Sequence, residues 1–180
     1  MLCIRTIIHL FSMIIKPHHE SSHHLCKLAS FCALSPHGNL SYAKTIFNQH
    51  QNPTLQLCNS LIRGFSTSLV PQETLLLFRK MIVCNNVKPN NMTFPFVIKA
   101  CTVLFRVKFG ILVHNYVLKY GLECDLYVRS SLVKFYANAK CLRSAKLLFD
   151  GYPEKDVVCW NSMIDAYVKA GEMELTPLKL

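Results

Sequence analysis

Apolar residues along this chain recur three and four positions apart, in short runs broken by proline, glycine or asparagine. That spacing lays a stripe of apolar side chains along one side of an α-helix and does not fit the strict alternation of a strand. Leu61, Ile62 and Phe65 form one stripe. Pro71 is placed to open the next helix, whose stripe reads as Leu75, Leu76, Phe78 and Met81, with Asn85 and Pro89 closing it. Phe94, Val97, Ile98 and Cys101 begin another, followed by a helix over 109–120 with Gly121 where a helix end favours a left-handed residue. Leu132, Val133 and Tyr136, then Leu142, Ala145, Leu148 and Phe149, repeat the scheme before Pro153. The pattern predicts nine or ten short helices and no sheet.

The helices also repeat in sequence. Displaced by 102 positions, the segment Cys58–Phe65 falls on Trp160–Tyr167, with Asn59 on Asn161 and Ser60 on Ser162. At the same displacement Leu40, Ala43, Lys44 and Phe47 fall on Leu142, Ala145, Lys146 and Phe149. Two blocks agreeing at one offset indicate paired helices in units of 31–36 residues. One such pair cannot bury its own apolar side, so the units must stack.

Composition narrows the class. Half the residues are apolar (51%), which excludes disorder over the whole length, and no run of 18 apolar residues would support a spanning helix. Nine cysteines, odd in number and never spaced C-x-x-C, fit neither a disulfide framework nor a zinc site and suit small apolar fillers in a reducing compartment. The net charge is +10, and all of it lies before residue 123, since residues 123–180 are neutral. A basic excess points to a polyanion, nucleic acid before a membrane surface. Residues 1–16 carry Arg5 and Lys16 with no acid, which reads either as an organellar presequence or as an ordinary buried helix. The sequons at Asn39 and Asn91 are chance matches in a chain of this length.

The helical blocks resemble the pentatricopeptide repeat family, in the land-plant subclass that cycles through repeats of three lengths. The resemblance rests on Pro89–Cys101 continuing to His114–Gly121, on Ser131–Ala137 running through Leu142 to Asp150, on Asp156–Ile164, and on the opening Phe31–Ala43. It implies an all-α fold, a right-handed α-solenoid of helix–turn–helix repeats like those of tetratricopeptide proteins. It divides the chain into an N-terminal segment 1–21 (presequence or partial repeat), a short repeat 22–54, a standard-length repeat 55–90, a long repeat 91–125, a short repeat 126–156 and an incomplete repeat 157–180. Pro177 falls inside what should be the second helix of that last unit, so the chain reads as truncated.

In this family each repeat contacts about one base of single-stranded RNA through two or three side chains. The principal readers are the fifth residue of the first helix and the last residue of the repeat. By position these are Asn59 with Asn90, Pro95 with Asp125, Ser130 with Asp156, and Asn161 without its partner; Cys26 with Thr54 makes a poor pair. An amide matches a pyrimidine edge and a carboxylate accepts from guanine N–H groups. Without the family match, Asn59 and Asn161 read sooner as helix-start caps or braces than as readers. Phe94, Phe96, Phe105 and Phe109 offer stacking surfaces but suit packing between repeats better.

No catalytic constellation is present. His18-His19-Glu20 matches half of a zinc deaminase signature, yet the P-C-x-x-C half is missing. His18, His19, His23 and His24 lack the carboxylate or thiolate support a metal would need, so neither metal nor cofactor is expected. The expected function is non-catalytic recognition of single-stranded RNA in organellar processing, foremost editing, with editing-complex proteins as further partners and neither DNA nor membrane. Mitochondrion is the expected compartment, chloroplast the alternative. A protein-binding scaffold and a non-functional truncated fragment are the competing readings.

Overall fold

The computed structural model describes residues 19–35, 39–49, 53–83 and 87–170. The expected presequence, Asn85, Pro177 and the end of the last unit lie outside the described residues, as do the side chains of the histidine group at 18–24. Nine helices and no strand occur among the described residues. They are α1 (His19–Leu34), α2 (Leu40–Gln49), α3 (Leu55–Ser66), α4 (Gln72–Val83), α5 (Phe94–Val103), α6 (Val107–Lys119), α7 (Leu126–Asn138), α8 (Leu142–Asp150) and α9 (Val157–Ala170).

The chain is an α-solenoid in two rows. The odd-numbered helices form an inner row in which each touches the next, α1 to α3, α3 to α5, α5 to α7 and α7 to α9. Each even-numbered helix packs on the helix before it and the helix after it, while the backbones of the even-numbered helices stay apart from one another. Backbones therefore approach closely along one row and fan apart along the other, which curves the stack with the odd helices inside. Side chains span the outer gaps: Lys44 on α2 reaches Glu73 on α4 at 2.6 Å, and Lys80 on α4 reaches Asn48 on α2 at 3.1 Å while lying over the Phe47 ring.

The inner row closes up because its sequence allows it. The face α1 turns inward is built of small residues, Cys26, Ala29, Cys32 and Ala33. Opposite stands Gly64 of α3, where a Cβ would come within 2.5 Å of the Ala33 carbonyl oxygen. Flanked on several sides, α3 buries Leu57, Cys58, Leu61, Ile62 and Phe65, and α7 likewise buries Val128, Leu132, Val133, Phe135 and Tyr136. At the end of the row, α9 buries only Cys159, Met163 and Ala166. The outer helix α4 departs from the sequence reading: its buried stripe is Thr74, Leu77, Phe78 and Met81, whereas Leu76 is 58% exposed. The true stripe follows the i, i+3, i+4, i+7 spacing, which a run of three leucines cannot reveal by composition.

Three helix ends share one device. Phe105, Gly121 and Lys140 adopt positive φ of 52°, 66° and 57°. The residue after each sends its N–H back five positions, from Arg106 to Cys101, from Leu122 to Val117 and from Cys141 to Tyr136. This is the Schellman termination, which satisfies carbonyls the helix leaves open. The sequence announces it at Gly121 and conceals it at Phe105 and Lys140, where side chains tolerate a backbone they rarely adopt.

Candidate nucleic-acid interface

The inner row carries polar side chains at the same helical position on α3, α7 and α9, with Pro95 as the expected counterpart on α5. Asn59 sits one turn into α3 and donates from Nδ2 to Asn90 Oδ1 at 3.1 Å, across 31 residues of chain. Thr93, fully buried at the entry to α5, braces the pair: its hydroxyl donates to Asn59 Oδ1 at 2.7 Å and accepts from the Asn90 N–H at 3.1 Å. Asn90 Oδ1 also accepts the Met92 N–H at 3.1 Å, a local turn that fixes the amide in place.

Ser130 occupies the corresponding turn of α7. Its hydroxyl lies 2.7 Å from Asp156 Oδ2 and 2.7 Å from the Leu126 carbonyl oxygen, so one hydrogen serves two acceptors. The Cys159 thiol donates to Ser130 Oγ at 3.3 Å. Ser130 is 3% exposed, far less than the half-buried Asn59, so at this node the outward-facing group is the carboxylate. Partial burial raises the Asp156 carboxyl, but hydrogen bonds from the Cys159 N–H, Ser130, the Cys159 thiol and Val158 together outweigh it and hold the group below the usual aspartate value.

Three of the expected unit-end residues, Asn90 excepted, also have a second task. Thr54 accepts the Leu57 N–H at 3.3 Å, Asp125 the Val128 N–H at 3.0 Å and Asp156 the Cys159 N–H at 2.8 Å. Each therefore caps the first helix of the next unit, where an oxygen acceptor satisfies a backbone donor that has no helical partner. The same side chains that could face a ligand set where the following helix starts. Asn59, for which a helix-start brace or cap is the alternative to a reading role, bonds Asn90 and Thr93 through its side chain and caps no helix.

Not every expected pair meets. Pro95 opens α5 with no donor of its own, and the side chain bonded to Asp125 is Asn91, whose Nδ2 reaches Oδ2 at 2.9 Å. Asn91 and Thr93 are bonded neighbours of the expected readers that sequence reasoning missed, one and three residues after Asn90. Cys26 is buried, and the Thr54 hydroxyl accepts the Leu57 N–H as a cap. Asn161 stands exposed on α9.

A groove of about 580 Å³ opens at the first node, lined by Leu34, Asn59, Arg63, Asn90, Met92 and Phe96 among others. Arg63 lies over the Phe96 ring at 5.7 Å. A second hollow of about 290 Å³ follows on the same row, with Pro95 and Phe96 on one side and Lys99 and Lys134 beside it. Polar pairs, an aromatic face and separated cations thus alternate along the inner surface. Phe94 is buried and Phe109 half-buried in the core cluster, Phe105 is exposed, and Phe96 lines both hollows. The cysteines are fillers for the most part: Cys26, Cys32, Cys58, Cys101 and Cys159 are buried, and burial pushes the Cys58 and Cys101 thiols up to about 12. No cluster of three metal-ligating side chains occurs among the described residues, and no described helix is long and apolar enough to cross a membrane.

Comparison with known proteins gives the same architecture a lineage. The family model for the PPR repeat matches residues 57–86, spanning α3 and α4, and again residues 158–175. An Arabidopsis thaliana pentatricopeptide repeat-containing protein named chloroplastic/mitochondrial is 37% identical over 141 residues, 78% of this chain and 22% of that protein. A chloroplastic one is 33% identical over 167 residues, 92% of this chain and 28% of its own length. A mitochondrial one is 35% identical over 150 residues, 82% of this chain and 22% of its own. The chain thus spans between a fifth and a third of the length of these relatives. Stacked helical hairpins, a polar pair recurring on the inner row and matches across nearly the whole sequence place the chain in the pentatricopeptide repeat family.

Proposed function

We propose that this chain is a non-catalytic module that binds single-stranded RNA in organellar transcript processing, with editing as the foremost process. The observation that carries the reading is the recurring pair on the inner row, Asn59–Asn90 and Ser130–Asp156, each spanning adjacent inner helices and each chemically different. A frame that holds the position constant while varying the donor and acceptor is what one-base-per-repeat recognition requires. Arg63, Lys99 and Lys134 supply charge for phosphates without reading sequence. The mitochondrion is the proposed compartment and the chloroplast the alternative, in keeping with relatives named for either organelle. The unit boundaries 22–54, 55–90, 91–125, 126–156 and 157–180 are part of the same proposal.

With the 5′ end of the RNA at the N-terminus, the Asn59–Asn90 unit prefers a pyrimidine. The Pro95 unit discriminates little, because proline offers no hydrogen bond and Asp125 is taken by Asn91. The Ser130–Asp156 unit prefers guanine, whose N–H edge meets the carboxylate, and Asn161 favours a pyrimidine again. The expected core is pyrimidine–any–G–pyrimidine. With so few units, affinity is weak and falls steeply with salt.

Selection from randomised RNA, on the chain extended with consensus repeats, tests this reading. Guanine should be enriched at the third position, and Asp156→Asn should move that preference towards adenine. Selection without guanine there, or unchanged by Asp156→Asn, removes these residues as readers. Co-purifying RNA that nuclease releases separates this reading from a peptide-binding scaffold.

A further inference from the structure

Next to Ser130 on α7 stands Arg129, only 4% exposed. Its Nη2 donates to the carbonyl of Glu154, and its guanidinium lies over the Tyr152 ring at 4.4 Å. The ion pairs among the described residues are Lys44–Glu73 and Lys169–Asp165, so this buried cation has no carboxylate partner there. Burying such a charge is costly, and an apolar side chain of similar volume often stabilises a fold more. Stability alone therefore does not account for an arginine at this place.

Both contacts of Arg129 fall on the connection between α8 and α9, four and two residues before Asp156. The same connection folds on itself through Lys155, which donates to the Tyr152 carbonyl at 2.6 Å and lies over the Phe149 ring at 4.9 Å. Asp156 ends this strap, with one carboxylate oxygen on Ser130 and the other on the first turn of α9. The Asn59–Asn90 node is held differently, by the Thr93 hydroxyl, which bonds the backbone of one asparagine and the amide of the other. Residue 159, three positions after Asp156 as Thr93 is three after Asn90, is a cysteine, a weak hydrogen-bonding group. The second node lacks the first node's clamp.

We propose that Arg129 supplies that clamp: it is the positioning residue that fixes the Tyr152–Asp156 strap so that the Asp156 carboxylate stands at Ser130, and it thereby sets base selectivity at this unit. The selectivity half of the proposal rests on the RNA-reading role given above to Ser130 and Asp156. The planar fork of arginine suits the task, since its flat guanidinium can lie over a ring while a rigidly placed N–H donates to a carbonyl.

The test uses the 180-residue chain and two readouts. The first needs no RNA. A carbon-13 NMR titration of the Asp156 carboxyl should show its depressed pKa rising towards the ordinary aspartate value in Arg129→Gln, and Arg129→Lys should restore it in part. Circular dichroism verifies folding of each variant. If Arg129→Gln does not fold, Tyr152→Leu loosens the same strap from the other side and should give the same shift. An unchanged carboxyl titration in the folded variant overturns the proposal. The second readout is fluorescence anisotropy at low salt with two short RNAs differing by G or A at the third core position. Arg129→Gln should lower the preference for G roughly tenfold, the scale of one charged hydrogen bond, with the A-containing RNA bound as before. Equal weakening on both RNAs would make Arg129 a general electrostatic contact and overturn the proposal. A wild-type chain that binds both alike would defeat the base-reading role itself, and the NMR titration then decides the positioning role alone.

Discussion

Between α3 and α5 two asparagine amides meet under a buried threonine hydroxyl, whereas between α7 and α9 a buried serine hydroxyl meets a carboxylate. The two nodes occupy the same turn of their first helices, yet one is neutral and rimmed by a groove, and the other is charged and strapped down from outside. Their surroundings differ as well. Behind the first, Phe78 packs edge-on against Phe94, Phe109 and Tyr116. Behind the second, Phe149 meets Trp160, which is 52% exposed. The hairpin frame is thus kept while chemistry and bracing vary from unit to unit, because backbone stacking depends on the apolar stripe and leaves the polar positions free to change.

The largest expected effect probes the bracing. Phe78→Ala should cost about 3–5 kcal/mol in urea unfolding, as for a fully buried aromatic, and Phe149→Ala clearly less, since its partner ring faces solvent. Equal losses would abolish the difference between the two regions.

Next comes spacing. Gly64→Ala drives a methyl into the Ala33 carbonyl at 2.5 Å, a backbone atom that cannot rotate away. The α1–α3 contact must open, at about 1–3 kcal/mol, and Asn59 should shift in NMR while Ser130 stays. A shift reaching Ser130 would mean the inner row moves as one rigid body.

Comparable in size is the loss of the hydroxyl braces. Thr93→Val leaves two asparagines without their shared partner and should cost about 1–3 kcal/mol, with Ser130→Ala nearer the low end because the Asp156 carboxylate remains solvated. Reversal of that order would show the charged node to be the more tightly coupled.

The smallest effects are those of pH. The Asp156 carboxyl is depressed in the folded chain, with opposing burial outweighed by hydrogen bonds, whereas an unfolded aspartate titrates near about 3.9. Its stabilisation is therefore complete above that value and is lost as pH falls through the lower folded value. Between the nodes, His114 Nδ1 lies 2.8 Å from the Tyr136 hydroxyl, and burial pushes its imidazole down from the ordinary value. The unfolded histidine takes its proton first, near about 6.5, so its share of stability falls as pH drops below that towards the folded value. Melting curves of Asp156→Asn and His114→Gln should flatten in these two separate windows; neither charge state of the Asn59 node changes there.

Much of this was legible in the chain itself. The stripes at Leu61–Phe65 and Leu132–Tyr136 name inner helices because residues spaced by one helical turn can be buried only together. The 102-residue displacement and Gly121 name the units and one of their stops. The resemblance to the repeat family, rather than periodicity, matched Asn59 with Asn90 and Ser130 with Asp156, and each pair is hydrogen-bonded in the folded chain. Other features depend on atoms brought together across units. The burial of Leu77 in place of Leu76, the displacement of Pro95 by Asn91 at Asp125, and the grip of Arg129 on the carbonyl of Glu154 each pair residues that no local rule connects. Sequence determined most of the faces that must be covered and some of the helix ends, such as Gly121, since periodicity, caps and turns act over a few residues. Only the tertiary structure decided which polar group stands opposite which, because hydrogen-bond geometry between stacked helices depends on their separation and on the path of the loops between them.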